Sequence, residues 1–211
     1  MRAITKQQVD NARGKSVWDL GNQVLYRLCE DYPDHHSDEA VIAKVWLIGR
    51  SYAAAVERRQ SKLDDAVQGD AFYEKLVAPA LRDSTIDEHI KKLREYHDVN
   101  TDSLHDILTT HKYLVDILAK ITGQNKRSLA SKYLHFHVPH LFFIYDSRAY
   151  DRLRTYRSFR DPLPDNTTYD HDYHKFCLKC VELREDIFKQ HGIHLTPREI
   201  DNFLLQSQGN P

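Results

Sequence analysis

This sequence has few cysteines, few glycines and almost no net charge. Its three cysteines, Cys29, Cys177 and Cys180, are too few for a disulfide framework and fall short of the four ligands that hold an iron–sulfur cluster. Seven glycines in 211 residues, without one Asn-Gly or Asp-Gly pair, give no sign of β-hairpins. Because the formal charge is −1, any affinity for nucleic acid must come from a local patch of basic residues rather than from the whole surface.

Long hydrophobic runs are absent as well. No stretch approaches the roughly 20 apolar residues that span a bilayer, and residues 1–15, MRAITKQQVDNARGK, lack the apolar centre of a signal peptide. With 41% hydrophobic and 29% charged residues, the composition is that of a folded globular protein. We therefore expect a single cytoplasmic domain over residues 1–211, with no membrane partner and no cofactor.

Apolar residues recur at spacings of three and four along almost the whole chain, which predicts an all-α protein. The predicted helices cover residues 16–31, 38–60, 70–82, 85–97, 102–122, 127–137, 147–158, 170–190 and 197–206. Three pairs have the spacing of an N-terminal capping box: Ser16 with Asp19, Ser84 with Asp87, and Thr196 with Glu199. Two prolines predict a loop over residues 161–166.

The centre of the chain combines a helical hairpin with a concentration of positive charge. The helix over 102–122 ends at Gly123, a residue suited to a helix C-cap, and a short turn leads into the helix over 127–137. Pro139 ends that helix, an apolar run follows, and Asp146 stands where the next helix begins. Between Gly123 and Arg160 there are eight Lys or Arg residues and only two acidic ones. We therefore expect this segment to contact nucleic acid.

Residues 121–160 resemble the helix-hairpin-helix DNA glycosylase superfamily, which includes endonuclease III, the adenine-mismatch glycosylases and the 8-oxoguanine glycosylases. Residues 127–130, Arg-Ser-Leu-Ala, resemble the family's Arg-(Lys or Ser)-Thr-Ala, and Asp146 lies eighteen residues beyond Ser128, where the family has an essential aspartate. Residues 143–146, Phe-Ile-Tyr-Asp, stand in the place of the family's Pro-(Ile or Val)-x-Asp. The resemblance implies a two-lobed helical fold that flips a base out of duplex DNA. Its parts would be a helix-hairpin-helix at about 102–137, a motif loop at 138–148 and C-terminal helices at 168–206.

An aspartate at this position suits the reaction of a DNA glycosylase. Breaking an N-glycosidic bond builds positive charge on the sugar, and a fixed carboxylate can stabilise that oxocarbenium ion or orient water against it. At a helix start, the carboxylate of Asp146 would also meet backbone N–H groups that keep it ionised. The alternative is that Asp146 is only the N-cap of its helix.

The residue at position 128 bears on the type of glycosylase. In family members that also cleave the strand, a lysine at the position of Ser128 forms a Schiff base with the sugar. The serine here implies a monofunctional enzyme that uses water. Lys132 lies four residues further on the same helical face and could reach the same cleft. The alternative is that Lys132 and Lys126 only contact phosphate or water.

Contacts with DNA are expected mainly from side chains, because the family's glycine-rich hairpin is reduced here to Gly123. The residues expected to make them are Lys126, Arg127, Ser131, Arg148 and Arg152.

An upstream stretch is the expected base pocket. Residues 46–59 resemble uncharacterised bacterial proteins related to the 8-oxoguanine enzymes, some of which lie among phage-defence genes. Arg50 and Glu57 are seven residues apart and share one face of a helix whose alanines at 53–55 permit the close approach of a base. The residues expected at this pocket are Arg50, Tyr52, Glu57 and His135. The alternative for Arg50 and Glu57 is a buried ion pair that joins two helices.

Other patterns leave two further functions open. His171, His174, Cys177 and Cys180 are zinc-ligand types, but steps of three residues spread them too far around one helix for a single ion, and we expect no metal. A non-catalytic module of the same fold that binds a nucleotide or modified DNA would fit the neutral charge and the reduced hairpin. An all-α ribonuclease toxin of the HEPN kind has one match to its Arg-and-His motif, from Arg82 to His89.

Overall fold

A computed structural model describes residues 2–58, 68–159 and 168–206, and these contain helices and no strand. The prediction of an all-α protein is confirmed for this part of the chain. The helices are α1 (Lys6–Arg13), α2 (Asp19–Asp31), α3 (Asp38–Ser51), α4 (Asp70–Phe72), α5 (Ala78–Arg82), α6 (Ile86–Leu93), α7 (Thr101–Thr122), α8 (Arg127–His137), α9 (Ser147–Tyr156), α10 (His171–His191) and α11 (Pro197–Leu205). A π-helical turn, Tyr73–Val77, joins α4 to α5. No helix in the described ranges combines the length and the apolar character that a bilayer span requires.

Several helix ends follow the predicted local chemistry. The Thr196–Glu199 capping box is confirmed, since Thr196 Oγ1 accepts from the Glu199 N–H and the Thr196 N–H donates to Glu199 Oε2 at 2.8 Å. Gly123 ends α7 in the left-handed conformation with φ of 66°, as expected. The box predicted at Ser16 is half formed, because the Ser16 N–H donates to Asp19 Oδ2 at 2.8 Å while α2 itself has no side-chain cap.

One prediction about a helix start is wrong, and one helix is not predicted. The Ser84–Asp87 box does not form, because the carboxylate of Asp87 binds the backbone N–H and the ring Nδ1 of His35 instead. Helix α1 was not predicted, although Thr5 and Gln8 form a capping box at its start. The loop predicted over 161–166 lies outside the described residues.

The helix predicted over 38–60 is wrong for residues 52–58, because α3 ends at Ser51 in a tight turn, and residues 59 and 60 lie outside the described residues. Ala53 has φ of 50°, the Ala53 N–H donates to Arg50 O, and the Ala54 N–H donates to Gly49 O at 2.7 Å. This is the Schellman arrangement of a helix C-terminus, with alanine where glycine is usual. The turn lies so close to α3 that a Cβ on Gly49 would be 3.1 Å from Ala55 Cα.

Helix α8 is the centre of the molecule. It is buried from Leu129 to His137 and contacts α2, α3 and α7. The first and last described helices are neighbours, since α1 contacts α11, and α11 also contacts α9. Hydrogen bonds from Asn202 Nδ2 to Ala12 O and from Gln206 Nε2 to Gln8 O hold this contact. Helices distant in sequence therefore surround the start of α8 and the start of α9.

Candidate active site

A cleft of about 1240 Å³ opens where α8, α9 and α11 meet α2 and the turn after α3. It brings together six of the residues predicted to carry function. These are Tyr52, Lys126, Ser128, Lys132, Asp146 and Arg148. Such a volume is ample for a nucleobase and its sugar, since pockets for drug-sized ligands start at roughly 300 Å³.

Asp146 is the N-cap of α9 and also lines the cleft. Its Oδ1 accepts from the Ala149 N–H at 2.8 Å, while its second oxygen makes no hydrogen bond to the described residues. The N-cap alternative is therefore structurally correct, but the cap occupies one carboxylate oxygen only. The side chain is half-buried and held by the cap, which leaves its second oxygen available at the lining of the cleft.

Lys132 is 3% exposed, and its amino group lies at the wall of the same cleft. Its Nζ donates to Ser128 Oγ at 2.9 Å and to Tyr52 O at 3.3 Å, and it lies 5.8 Å from the centre of the Tyr52 ring. Burial lowers the pKa of Lys132, while the carboxyls of Asp146 and Asp201 act in the opposite direction. A lysine with a lowered pKa is a better nucleophile and general base than an exposed one.

Three of the residues predicted for the base pocket lie outside the cleft. Arg50 forms an ion pair with Glu57, and Glu57 also accepts from Tyr73 OH at 2.6 Å. The Arg50 side chain is 57% exposed, so this is not the buried ion pair of the alternative hypothesis. The pair links α3 to the turn after it, and the hydrogen bond from Tyr73 links that turn to the π-helical turn. His135 is buried, with Nδ1 2.8 Å from Phe142 O and Nε2 2.7 Å from Tyr26 OH, and burial lowers its pKa to about 3. It is a neutral histidine of the core.

Three of the residues predicted to bind DNA connect structural elements instead of lining the cleft. Arg127 forms ion pairs with Asp170 and Asp172, which tie α8 to α10. Ser131 Oγ donates to Ser128 O and accepts from the Tyr145 N–H, both at 3.0 Å, which holds the segment before α9 against α8. Arg152 donates to Gln206 O at 3.1 Å.

The sequence interpretation missed the C-terminal wall of the cleft. Asp201 is 2% exposed, burial raises its pKa to about 7, and its Oδ2 accepts from Arg198 Nη1 at 2.8 Å. Asn22 of α2 is also buried against the cleft, and its Oδ1 accepts from Tyr52 OH. The sequence contained a signal for Asp201, an acidic residue on the apolar face of α11. It shares that face with Pro197, four residues before it, and Leu204, three residues after it.

The cleft is positively charged although the chain is not. Its charged lining residues are Lys15, Arg58, Lys126, Lys132, Arg148 and Arg198, with Asp146 and Asp201. Six basic residues thus face two acidic ones in a protein of formal charge −1. This concentration favours a ligand that carries phosphate groups.

In the described ranges, the residues of the zinc-ligand pattern do not come together as a metal site, and Arg82 and His89 make separate contacts. Within the described ranges, no group of three or more His, Cys, Asp or Glu side chains lies close enough to hold a metal ion. Arg82 forms ion pairs with Asp38 and Asp83, whereas His89 stacks on Tyr113 with ring centres 4.7 Å apart.

A comparison of the chain with known protein families, with characterised proteins and with solved structures finds no match. The chemistry of the cleft therefore has to be inferred from its own geometry.

Proposed function

We propose that this protein is a DNA glycosylase that takes an extruded nucleotide into the cleft and hydrolyses its N-glycosidic bond. The observation that carries the proposal is that Asp146, with one carboxylate oxygen outside its N-cap hydrogen bond, lines the same cleft as Lys132 and Ser128. A carboxylate fixed at a helix start beside cationic side chains is the arrangement that an oxocarbenium-like transition state and a phosphate backbone require together.

The proposed reaction assigns distinct tasks to side chains that line the cleft. Lys126 and Arg148 bind the phosphates that flank the extruded nucleotide. The carboxylate of Asp146 stabilises the positive charge that develops on the sugar as the base departs, and it orients the water that completes hydrolysis. In this proposal α7, the turn at Gly123 and α8 act as the helix-hairpin-helix, and the helices on either side of the cleft form the two lobes of a glycosylase-like fold.

A second candidate reaction is favoured by the position of Lys132. Its amino group is buried, and its only hydrogen-bond partners in the described part of the chain are the hydroxyl of Ser128 and the backbone oxygen of Tyr52. An amine in these surroundings can attack the sugar C1′ as the base leaves and form a Schiff base with the opened sugar. The protein would then cleave the strand as well as the glycosidic bond.

The experiment that tests the proposal measures base release from duplex DNAs that carry damaged, mismatched or modified bases. On any DNA that proves to be a substrate, Asp146→Asn should reduce the rate of base release at least about 100-fold, because the amide cannot stabilise the developing cation. Asparagine still caps a helix, so the variant should remain folded and bind DNA. The matched control is Asp151→Asn, at an exposed carboxylate on the same helix, which should leave the rate unchanged.

The outcomes separate the candidate functions. Full activity of Asp146→Asn would overturn the proposed role of the carboxylate. Tight binding of DNA without release of any base would support the non-catalytic module instead. Borohydride treatment during turnover distinguishes the two reactions, since only a Schiff base leaves protein covalently attached to DNA.

A further inference from the structure

A chain of hydrogen bonds crosses the inner wall of the cleft from α11 to α2. Arg198 Nη1 donates to Asp201 Oδ2 at 2.8 Å and to Tyr52 OH at 3.0 Å. Tyr52 OH in turn donates to Asn22 Oδ1 at 2.7 Å. All four residues line the cleft. The network therefore links α11 to α2 beside the space into which a ligand would enter.

The direction of every hydrogen bond in this network is determined by its chemistry. A guanidinium can only donate, so Tyr52 OH accepts from Arg198 and must use its single proton toward Asn22. Burial raises the pKa of Tyr52 to about 12, which keeps that proton on the hydroxyl at neutral pH. The Asn22 amide therefore turns its oxygen to Tyr52 and its nitrogen away from it. At the other end, Asp201 uses Oδ2 for Arg198, and Oδ1 of the ionised carboxylate is left as an acceptor for another partner.

Both ends of the network are buried and lack a partner. Asp201 is 2% exposed and Asn22 is 7% exposed, yet Asp201 Oδ1 and Asn22 Nδ2 have no hydrogen bond within the described part of the chain. Buried polar groups without a partner are uncommon in folded proteins, because each forfeits its hydration without compensation. One end is an acceptor and the other is a donor. A ligand that satisfies both must offer an N–H group and an acceptor oxygen or nitrogen.

We propose that the ends of this network bind the lactam edge of an extruded nucleobase, a ring N–H next to a carbonyl, as in uracil, thymine, hypoxanthine and guanine. The ring N–H donates to Asp201 Oδ1, and the carbonyl accepts from Asn22 Nδ2. Adenine and cytosine also pair a donor with an acceptor, but their acceptor is a ring nitrogen with one lone pair, whereas a carbonyl oxygen can accept from Asn22 Nδ2 and from a second donor. Lys132 and Arg198 beside it are further donors, so the wall suits a base with more carbonyls than N–H groups.

The inference takes its ligand class from the proposed function, and it can be tested on the protein without DNA. The probe is 1-methyluracil, and the matched probe is 1,3-dimethyluracil, which differs only in that a methyl group replaces the N–H. The dissociation constants are measured by NMR titration of the full chain at pH 8.5, above the pKa of about 7 that burial gives Asp201, so that its carboxyl group is ionised. We expect the dimethyl compound and 1-methylcytosine each to bind at least about tenfold more weakly, because a buried acceptor without its partner costs that much affinity. Equal binding of 1-methyluracil and either comparison compound would overturn the proposal.

Variants assign the effect to the two ends of the network. Asn22→Leu and Asp201→Asn should each weaken binding of 1-methyluracil at least about tenfold, whereas Asp116→Asn on α7, outside the cleft, should not change it. If either cleft variant fails to fold, the comparison of the two uracils on the unaltered protein still decides. Unchanged affinity in both folded variants would overturn the assignment.

The results also separate this inference from the proposed function. Base release from DNA without any preference for 1-methyluracil over 1,3-dimethyluracil would overturn the lactam site alone. Selective binding of 1-methyluracil that both cleft variants abolish, in a protein that releases no base from DNA, would support the lactam site and overturn the glycosylase proposal.

Discussion

Asp201 links the stability of the protein to pH. The carboxyl group has an ordinary pKa of 3.8 when exposed, and burial in the folded protein raises the pKa to about 7. The folded state therefore favours the protonated form. Below about pH 4 both states hold the proton and the carboxyl imposes no penalty. As the pH rises from there to 7, the unfolded chain loses its proton first and stability falls, by on the order of 4 kcal/mol in total.

The test of this linkage compares Asp201→Asn with the unaltered protein in denaturant unfolding at several pH values. The variant cannot ionise, so its free energy of unfolding should rise relative to the unaltered protein by a few kcal/mol between pH 4.5 and pH 7.5. The difference between the two proteins cancels the titration of other groups. Asp116→Asn, at an exposed carboxylate, should give a difference that hardly changes over this range. A constant difference for Asp201→Asn would contradict the raised pKa.

Helix ends could be predicted from the sequence where their chemistry is local. Thr196, Gly123 and Asp146 end or begin helices through contacts with residues three or four positions away, and such patterns are visible in a sequence. The end of α3 is different. Residues 52–58 continue a pattern that suits a helix, but Gly49 allows the chain to fold back so that Ala55 lies against α3. The resulting turn presents Tyr52 to the cleft and moves Arg50 and Glu57 away from it.

Gly49→Ala tests how strongly this turn depends on close approach. A Cβ at this position would lie 3.1 Å from Ala55 Cα and 3.4 Å from Ala54 O, and both are backbone atoms that cannot move independently of the turn. We expect a loss of about 1 to 3 kcal/mol in the free energy of unfolding. The matched control is Gly21→Ala in α2, where an added Cβ meets nothing within 4 Å. That change should stabilise the helix by about 0.5 to 1 kcal/mol. Equal effects of the two substitutions would contradict the close approach.

The cleft as a whole could not be predicted, because packing between distant helices creates it. The sequence pattern identified Asp146, Lys132 and Ser128 within one segment, where a local motif places them together. Asn22 and Asp201 reach the same space only because α2 contacts α8, and α11 contacts α1 and α9. No spacing in the chain encodes those contacts. The same packing concentrates six basic side chains around the opening, while the rest of the chain offsets their charge.

Under the proposed function, this distribution of charge predicts how the binding of DNA responds to salt. Each phosphate contact that releases a counterion contributes about 0.9 to the slope of the logarithm of the binding constant against the logarithm of salt concentration. Lys126→Ala and Arg148→Ala should each lower that slope by about 1 for any duplex sequence, since phosphate contacts carry no base information. Lys91→Ala on α6, outside the cleft, should leave the slope unchanged. Fluorescence anisotropy with labelled duplexes between low and physiological salt measures all four proteins. If Lys91→Ala lowered the slope as much as the cleft variants do, binding would depend on the general surface rather than on the cleft.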